Sequence, residues 1–247
     1  MKNSKKLHLH GTFLLLLPAF LSVCILFTFI GNSFCKEAPT YAATKSQKSN
    51  TLTLIIDAGH GGEDGGAVGV NGKFEKDLNL EIAFLIRDMA LSAGYDTVMT
   101  RTEDVLLYDR NVDYKGRKKA LDLLARVKIA EKYENAVFVS IHMNAFPEKQ
   151  YSGLQVYYSK NDPLSEAIAK DIQDGVRLSL QEKNNRKIKP ADSNIYLLDR
   201  ITLPSVLVEC GFLSNPEECA RLSSEDYRQK LALSIFLSVS KHLRAKS

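Results

Sequence analysis

Three residues capable of metal chemistry lie where apolar, strand-like runs of the chain stop: His60, His142 and Glu209. Ligands of an α/β sheet bind beyond the carboxyl ends of its strands. We therefore expect these three side chains to share one site. Neutral imidazole and carboxylate are ligands that a zinc ion prefers. The pattern predicts a metal-dependent site at one edge of a sheet.

A catalytic zinc ion usually takes three protein ligands and keeps one position open. Glu75, at the start of a predicted helix, is the candidate third ligand beside His60 and His142. Its alternative role is to complement the helix dipole, and Asp77 and Glu81 compete with it as ligands. A single histidine is a weak signal, but two histidines and a glutamate at separate strand ends form a stronger one.

An ionised carboxylate at the end of a buried strand is costly without a partner. If Glu209 is structural, it needs an arginine or several amides; if it is catalytic, it accepts a proton from the attacking water. Arg101, at a predicted strand end, is a candidate partner for an acidic site residue. The basic stretch 117–119 with Arg126 and Lys128 either contacts an anionic substrate or forms a solvated helix face.

The glycine-rich loop 59–72 matches neither the P-loop nor the dinucleotide-binding pattern, which argues against nucleotide binding. Its glycines instead allow the backbone to approach a metal and an extended substrate. The net charge of +4 is concentrated in residues 1–43, which contribute +3 of it. Because the remainder is nearly neutral, nothing in the charge predicts a nucleic-acid partner.

Residues 1–43 are predicted to be an N-terminal signal or membrane-anchor segment that includes the start of a linker. Lysines precede Thr12–Ile30, nineteen residues without a charge and long enough to span a bilayer. The positive flank is expected to stay in the cytoplasm. The remainder is then extracytoplasmic, either secreted or anchored to the membrane. Residues 44–50 are predicted to be a linker and 51–247 the catalytic domain.

Strands that alternate with helices predict a single α/β domain, with a largely parallel, mixed central sheet and helices on both faces. Cys210 and Cys219 either form a disulfide or lie buried as small apolar residues. The predicted strands cover 51–57, 95–101, 136–141, 153–158, 195–198 and 205–209. The predicted helices cover 77–92, 121–133, 162–180 and 225–243, with a short helical turn from Asn215.

Four motifs, in this order, resemble the zinc-dependent N-acetylmuramoyl-L-alanine amidases of the bacterial cell wall, the Amidase_3 family. The resemblance implies that His60, Glu75 and His142 bind one Zn²⁺ per chain and that Glu209 is the catalytic glutamate. It also implies hydrolysis of the amide between N-acetylmuramic acid and L-alanine in peptidoglycan. The motifs are Ile56–Gly62, Phe74–Lys76, Ser140–Ala145 and Val208–Asn215.

The segment 117–126, together with the N-terminal segment, is most similar to the germination-specific, CwlD-type cortex amidases of spore formers. That similarity implies muramic-δ-lactam formation in the cortex, a forespore or cortex location, and a lipoprotein or deacetylase partner. Many family members carry a long inhibitory helix between the second histidine motif and the last strands. Here His142 and Glu209 lie 67 positions apart, and a predicted strand, helix and strand fill that interval.

Two other functions are compatible with the same motifs. A zinc peptidase acting on peptidoglycan stem peptides would have the same site residues and differ in its products. A non-catalytic wall-binding protein is expected to have lost a ligand or the catalytic glutamate. All four positions are occupied in this chain, which argues against the non-catalytic alternative.

Overall fold

A six-stranded sheet forms the centre of the computed structural model, which describes residues 52–111 and 114–243. The strands are β1 (Thr53–Ala58), β2 (Thr97–Met99), β3 (Ala136–Asn144), β4 (Gln155–Tyr158), β5 (Lys189–Pro190) and β6 (Ser205–Phe212). They are ordered β2-β1-β3-β6-β4-β5. Neighbouring strands are parallel except for β4 and β6, which are antiparallel. The predicted single α/β domain with a mixed, largely parallel sheet is confirmed.

Helices cover both faces of this sheet, as predicted. Those with described bounds are α1 (Glu75–Ser92), α2 (Lys118–Ala130), α3 (Leu164–Ser179), α4 (Tyr196–Arg200), α5 (Pro216–Ser223) and α6 (Glu225–Leu243). Helices α1, α3 and α6 pack together over the larger apolar core, whereas α2 and α4 cover the opposite face. The Asn215 side chain caps α5 by accepting two backbone N–H groups, and Pro216 occupies its first turn.

The prediction of a strand over 195–198 is wrong, because Tyr196–Arg200 forms the short helix α4. Short apolar runs fit a strand and a buried helical turn equally well. The Asp192 side chain accepts the N–H of Asn194 at 2.9 Å, a turn that bends the chain just before the helix. Leu197 and Leu198 are both buried, although they are consecutive.

Side chains alternate between the two faces of a strand, and this alternation separates the core from the candidate site. On β3, Val139 and Ile141 enter the larger core. Ser140 and His142 point to the face that α2 covers, where Ser140 donates a hydrogen bond to a buried carboxylate and His142 lines a cavity. Glu209 of β6 lines the same cavity.

Arg126 ties α2 to the end of β1 from a position that is 1% exposed. Its Nη1 donates to Asp57 Oδ1 at 2.6 Å and its Nε donates to Asp122 Oδ2 at 2.8 Å. Burial alone would raise the pKa of Asp57, but Arg126 and hydroxyls that donate to the carboxylate hold that pKa below its usual value. The expectation that Arg126 contacts substrate or lies on a solvated face is therefore wrong.

Cys210 and Cys219 are both buried and form no disulfide, so the alternative of buried apolar residues is correct. Within residues 52–111 and 114–243, no helix is both long and apolar enough to cross a membrane. The predicted segment Thr12–Ile30 and the boundaries at residues 43 and 50 lie outside the described residues.

Replacing Arg126 with methionine leaves the carboxylates of Asp57 and Asp122 buried without their cation. Breaking a buried ion pair costs about 3–5 kcal/mol, so we expect the free energy of unfolding, measured in urea, to fall by that amount. Arg200→Met is the control, because the Arg200 side chain is 62% exposed and its contacts are local, an ion pair with adjacent Asp199 and a stack on Tyr196. The control should change stability by less than about 0.5 kcal/mol. Equal losses in the two variants would contradict a structural role for the buried pair.

Candidate metal centre

The three predicted ligands converge at the carboxyl ends of β1 and β3 and the first turn of α1. Glu75 Oε1 lies 3.2 Å from His60 Nε2 and 3.0 Å from His142 Nδ1. One ligand atom from each residue lies within 4.8 Å of the other two. The imidazole rings meet edge to face, with centroids 4.9 Å apart. Two imidazole nitrogens and a carboxylate oxygen in this arrangement suit a zinc ion.

His60 follows β1 in a left-handed backbone conformation, with φ of 62°. A residue with a β-carbon adopts this conformation at a cost of about 1–3 kcal/mol, which the surrounding structure must supply. Arg126 Nη2 donates to the His60 carbonyl at 2.7 Å and fixes this backbone. Asp64 Oδ2 lies 2.9 Å from His60 Nδ1, an ion-pair distance without hydrogen-bond geometry, and this carboxylate attracts that side of the imidazole.

Glu75 is buried at the start of α1, and backbone groups aim its carboxylate. Its Oε2 accepts the N–H of Ala67 at 2.8 Å, and its Oε1 accepts the N–H of Met143 at 2.9 Å. Burial alone would raise the pKa of Glu75. Hydrogen bonds and charge from His142 and His60 outweigh burial and hold that pKa far below its usual range. The carboxylate is therefore ionised, as a metal ligand must be.

The other two acidic residues of α1 do not reach this site. Asp77 is exposed to solvent. Glu81 forms an ion pair with Arg228, with an Oε2–Nη2 distance of 2.6 Å. Among the three carboxylates considered as ligands, Glu75 is the one that meets the histidines.

Arg101 has a different role from the one expected of it. This buried guanidinium donates to the backbone carbonyls of Ala58 at 2.9 Å, Gly59 at 3.0 Å and Lys76 at 2.7 Å. No carboxylate in 52–111 or 114–243 forms an ion pair with it, so its predicted pairing with an acidic site residue is wrong. It instead joins the end of β1 to the first turn of α1.

Two glycines leave the space that the ligands occupy. A β-carbon on Gly59 would lie 2.2 Å from the His142 ring. Gly66 has a φ of 65°, and a β-carbon there would lie 2.5 Å from Glu75 Oε2. The glycine-rich loop therefore allows the backbone to approach the ligand set closely. The donor types and this cleared space fit a resident metal ion.

A cavity of about 230 Å³ opens beside the ligands between α2 and α4. His60, His142 and Glu209 line it, together with side chains of α2 and residues 194–197. The described residues of the polar segments 102–118 and 146–152 do not line this cavity. Lys119, from the predicted basic stretch, lies at its edge 3.5 Å from Asp64.

Glu209 faces the ligands from the neighbouring strand. It is the register partner of His142, and the two side chains lie on the same face of the sheet. Its Oε2 is buried and has no hydrogen-bond partner among the described residues. Burial raises the pKa of Glu209 to about 7; the Glu75 charge adds to the rise, and His142 and His60 oppose it. A structural role requires an arginine or several amides around this carboxyl, and no hydrogen bond or ion pair from such a group reaches it within 52–111 and 114–243.

Sequence reasoning missed Asp64, which contacts the His60 imidazole, and Asp57, which binds the Arg126 guanidinium that holds the His60 carbonyl. Asp57 had a detectable signal, because it is an acidic residue inside an apolar strand, as Glu209 is. Asp64 lies four residues beyond His60 in an irregular loop, and no periodic pattern relates the two.

This chain is similar to known cell-wall amidases. The Amidase_3 family model, described as N-acetylmuramoyl-L-alanine amidase, matches residues 54–241. The chain is 41% identical over 194 residues to the germination-specific N-acetylmuramoyl-L-alanine amidase of Bacillus subtilis, covering 78% of this chain and 80% of that protein.

Solved structures show the same similarity. The CwlD amidase of Clostridioides difficile, solved in complex with the GerS lipoprotein, has a TM-score of 0.73 and 40% identity and covers 78% of this chain and 98% of that one. The amidase AmiC2 of Nostoc punctiforme has a TM-score of 0.66 and 32% identity, covering 79% and 98% of the two chains.

The raised pKa of Glu209 predicts that the free energy of unfolding depends on pH differently in metal-free wild type and in metal-free Glu209→Gln. Between pH 4.5 and about 7 the unfolded chain releases the Glu209 proton while the folded protein retains it. Wild-type stability therefore falls as pH rises through this window. Glutamine does not titrate. The free energy of unfolding of the variant should therefore rise by about 2–3 kcal/mol relative to that of the wild type over this pH window. Urea denaturation with a chelator present measures this difference, and parallel pH profiles would contradict it.

Proposed function

The chain belongs to the Amidase_3 family of N-acetylmuramoyl-L-alanine amidases, and on that basis we propose that it is a zinc-dependent cortex amidase. The bond cleaved is the amide between N-acetylmuramic acid and L-alanine in the peptidoglycan of the spore cortex, a step towards muramic-δ-lactam. The observation that carries the proposal is the convergence of His60, Glu75 and His142 opposite Glu209, whose buried Oε2 has no hydrogen-bond partner in the part of the chain that the structure describes.

One Zn²⁺ per chain would be held by His60, Glu75 and His142. When bound, the ion supplies Lewis acidity, which activates water and polarises a carbonyl. Glu209 accepts a proton from the attacking water at its carboxylate and then donates a proton to the leaving amine of L-alanine. Burial raises the pKa of Glu209 above its usual value, which favours a carboxyl that can both accept and donate a proton.

The other residues of the site position this machinery. Asp64 attracts one side of the His60 ring, and Arg126 holds the His60 backbone. Leu123 and Leu207 form an apolar part of the cavity wall. This wall limits the amount of water around the reacting groups.

The cortex assignment is supported by the two germination-type relatives, at 41% and 40% identity. Because the CwlD structure contains a lipoprotein, we infer a lipoprotein partner for this chain as well, with a deacetylase as a further candidate. The location we propose is extracytoplasmic, in the forespore or cortex compartment. In this proposal residues 1–43 direct export or membrane attachment, 44–50 are a linker and 51–247 form the catalytic domain.

The test measures zinc content and peptidoglycan digestion on the full-length protein, with and without a chelator. We expect one zinc per chain and chelator-sensitive release of peptides that begin with L-alanine. A different new amino terminus would identify a stem-peptide zinc peptidase instead. Absence of bound zinc after the metal is supplied would contradict the ligand assignment.

Glu209→Gln is expected to keep its zinc and lose turnover by about 10²–10⁴-fold, because the amide cannot accept a proton from water. Metal analysis and release of amino termini on the same preparation measure the two properties. Substantial peptidoglycan cleavage by this variant would remove Glu209 from the proton-transfer role.

Glu75→Gln is expected to weaken zinc affinity by at least about 100-fold, because it removes a charged ligand. Asp77→Asn is the matched control, since it makes the same chemical change two residues along α1 on an exposed side chain. Competition with a chromogenic chelator measures both affinities. Similar affinities for the two variants would show that Glu75 does not bind the metal.

A further inference from the structure

Arg186 presents a guanidinium with unused donors beside the candidate site. Its Nε donates to the Ser152 carbonyl at 2.8 Å, and its Nη1 donates to Gln155 Oε1 at 2.9 Å. Within 52–111 and 114–243, no carboxylate forms an ion pair with Arg186, and its Nη2 donates no hydrogen bond. A guanidinium carries five N–H donors, so three remain after these two bonds.

Gln155 connects this guanidinium to the strand that carries Glu209. Gln155 and Glu209 are direct cross-strand partners on β4 and β6, and such pairs lie on the same face with β-carbons about 5 Å apart. Arg186 therefore contacts the residue that lies directly across from Glu209 in the sheet. The phenol of Tyr157 responds to both charges: burial raises its pKa, the Glu209 charge adds to the rise, and Arg186 opposes it.

The position of the guanidinium is fixed before any ligand binds. Its central carbon lies 4.5 Å from the centroid of the Phe212 ring. That ring packs against Tyr151, with centroids 6.2 Å apart. The backbone N–H of Arg186 donates to Asn184 Oδ1 at 3.0 Å. A guanidinium held in this way loses little further freedom when it binds a planar anion.

Polar space adjoins Arg186. Ser152, whose carbonyl accepts the Arg186 Nε hydrogen bond, also lines a cavity of about 460 Å³. Side chains of both charges line the same cavity, with Lys183 and Arg221 on one hand and Glu182, Glu217 and Glu218 on the other. A substrate chain that passes Arg186 therefore reaches a surface able to solvate peptide groups and charges.

We propose that Arg186 binds a carboxylate of the peptide stem and selects substrates whose stem is acidic. This inference rests on the proposed amidase function. Three free N–H groups on a planar fork match the two oxygens of a carboxylate. In the intact substrate the carboxylates belong to the peptide, because the lactyl carboxyl of muramic acid is already in the amide to be cleaved. The part of the substrate that lies near Arg186 is therefore the peptide stem and not the glycan.

The test compares Arg186→Gln with wild type on two synthetic muropeptides that differ only in whether the stem carboxylates are free or amidated. We expect kcat/KM for the acidic muropeptide to fall about 10- to 100-fold, mainly through KM. Cleavage of the amidated muropeptide should change less than about threefold, which also shows that the variant folds. Arg186→Lys should recover part of the loss, because it restores charge without the fork. Equal losses on both substrates would overturn the proposal.

Arg87→Gln is the matched control, because Arg87 also stacks on a phenylalanine, Phe84, with its central carbon 4.5 Å from the ring centroid. It lies on α1, outside the site, and should leave both activities unchanged. Calorimetric binding of the free stem peptide and its amidated form, by wild type and Arg186→Gln, separates this inference from the proposed function. Arg186-dependent preference for the acidic peptide would support the inference even if no amide were cleaved. Binding independent of Arg186 would overturn the inference even if the amidase reaction were established.

Discussion

The buried ion pair between Arg126 and Asp57 is the interaction on which the site depends. It joins a helix to the end of the first strand, and the same guanidinium holds the His60 carbonyl in place. An ion pair in such a position gains little net stability over apolar residues of the same size, because both charges lose their hydration. What it provides here is a defined position for the first histidine, whose backbone is strained.

The site contains two carboxyl groups whose surroundings shift their pKa values in opposite directions. Glu75 and Glu209 are both carboxyls on the same edge of the sheet. Two imidazoles and two backbone N–H groups surround Glu75 and keep it ionised. Glu209 is buried, and among the described residues no donor forms a hydrogen bond with its Oε2. Burial therefore raises its pKa, and it keeps its proton to a higher pH. Divergent environments of this kind allow one carboxyl to bind a metal and another to move protons.

The sequence was sufficient to predict the fold class and the convergence of His60, His142 and Glu209, because both follow from local patterns. Apolar runs predict strands, and the ends of parallel strands share an edge, so His60, His142 and Glu209 could be brought together without coordinates. The partners of Arg101 and Arg126 could not be predicted in this way, since they depend on packing between distant segments. The short helix α4 was missed because four apolar and polar residues in a row carry too little periodicity to separate a helix from a strand.

The alternation of side chains along β3 and β6 limits how the length of this chain can vary. Consecutive residues point to opposite faces, so one residue inserted or deleted ahead of His142 within β3 turns the imidazole into the apolar core and exposes Ile141 in its place. A similar change ahead of Glu209 in β6 buries the carboxyl against the larger core. Loops between these strands can lengthen or shorten without this effect. Related sequences can therefore differ in loop length, but single-residue gaps inside these two strands abolish the site.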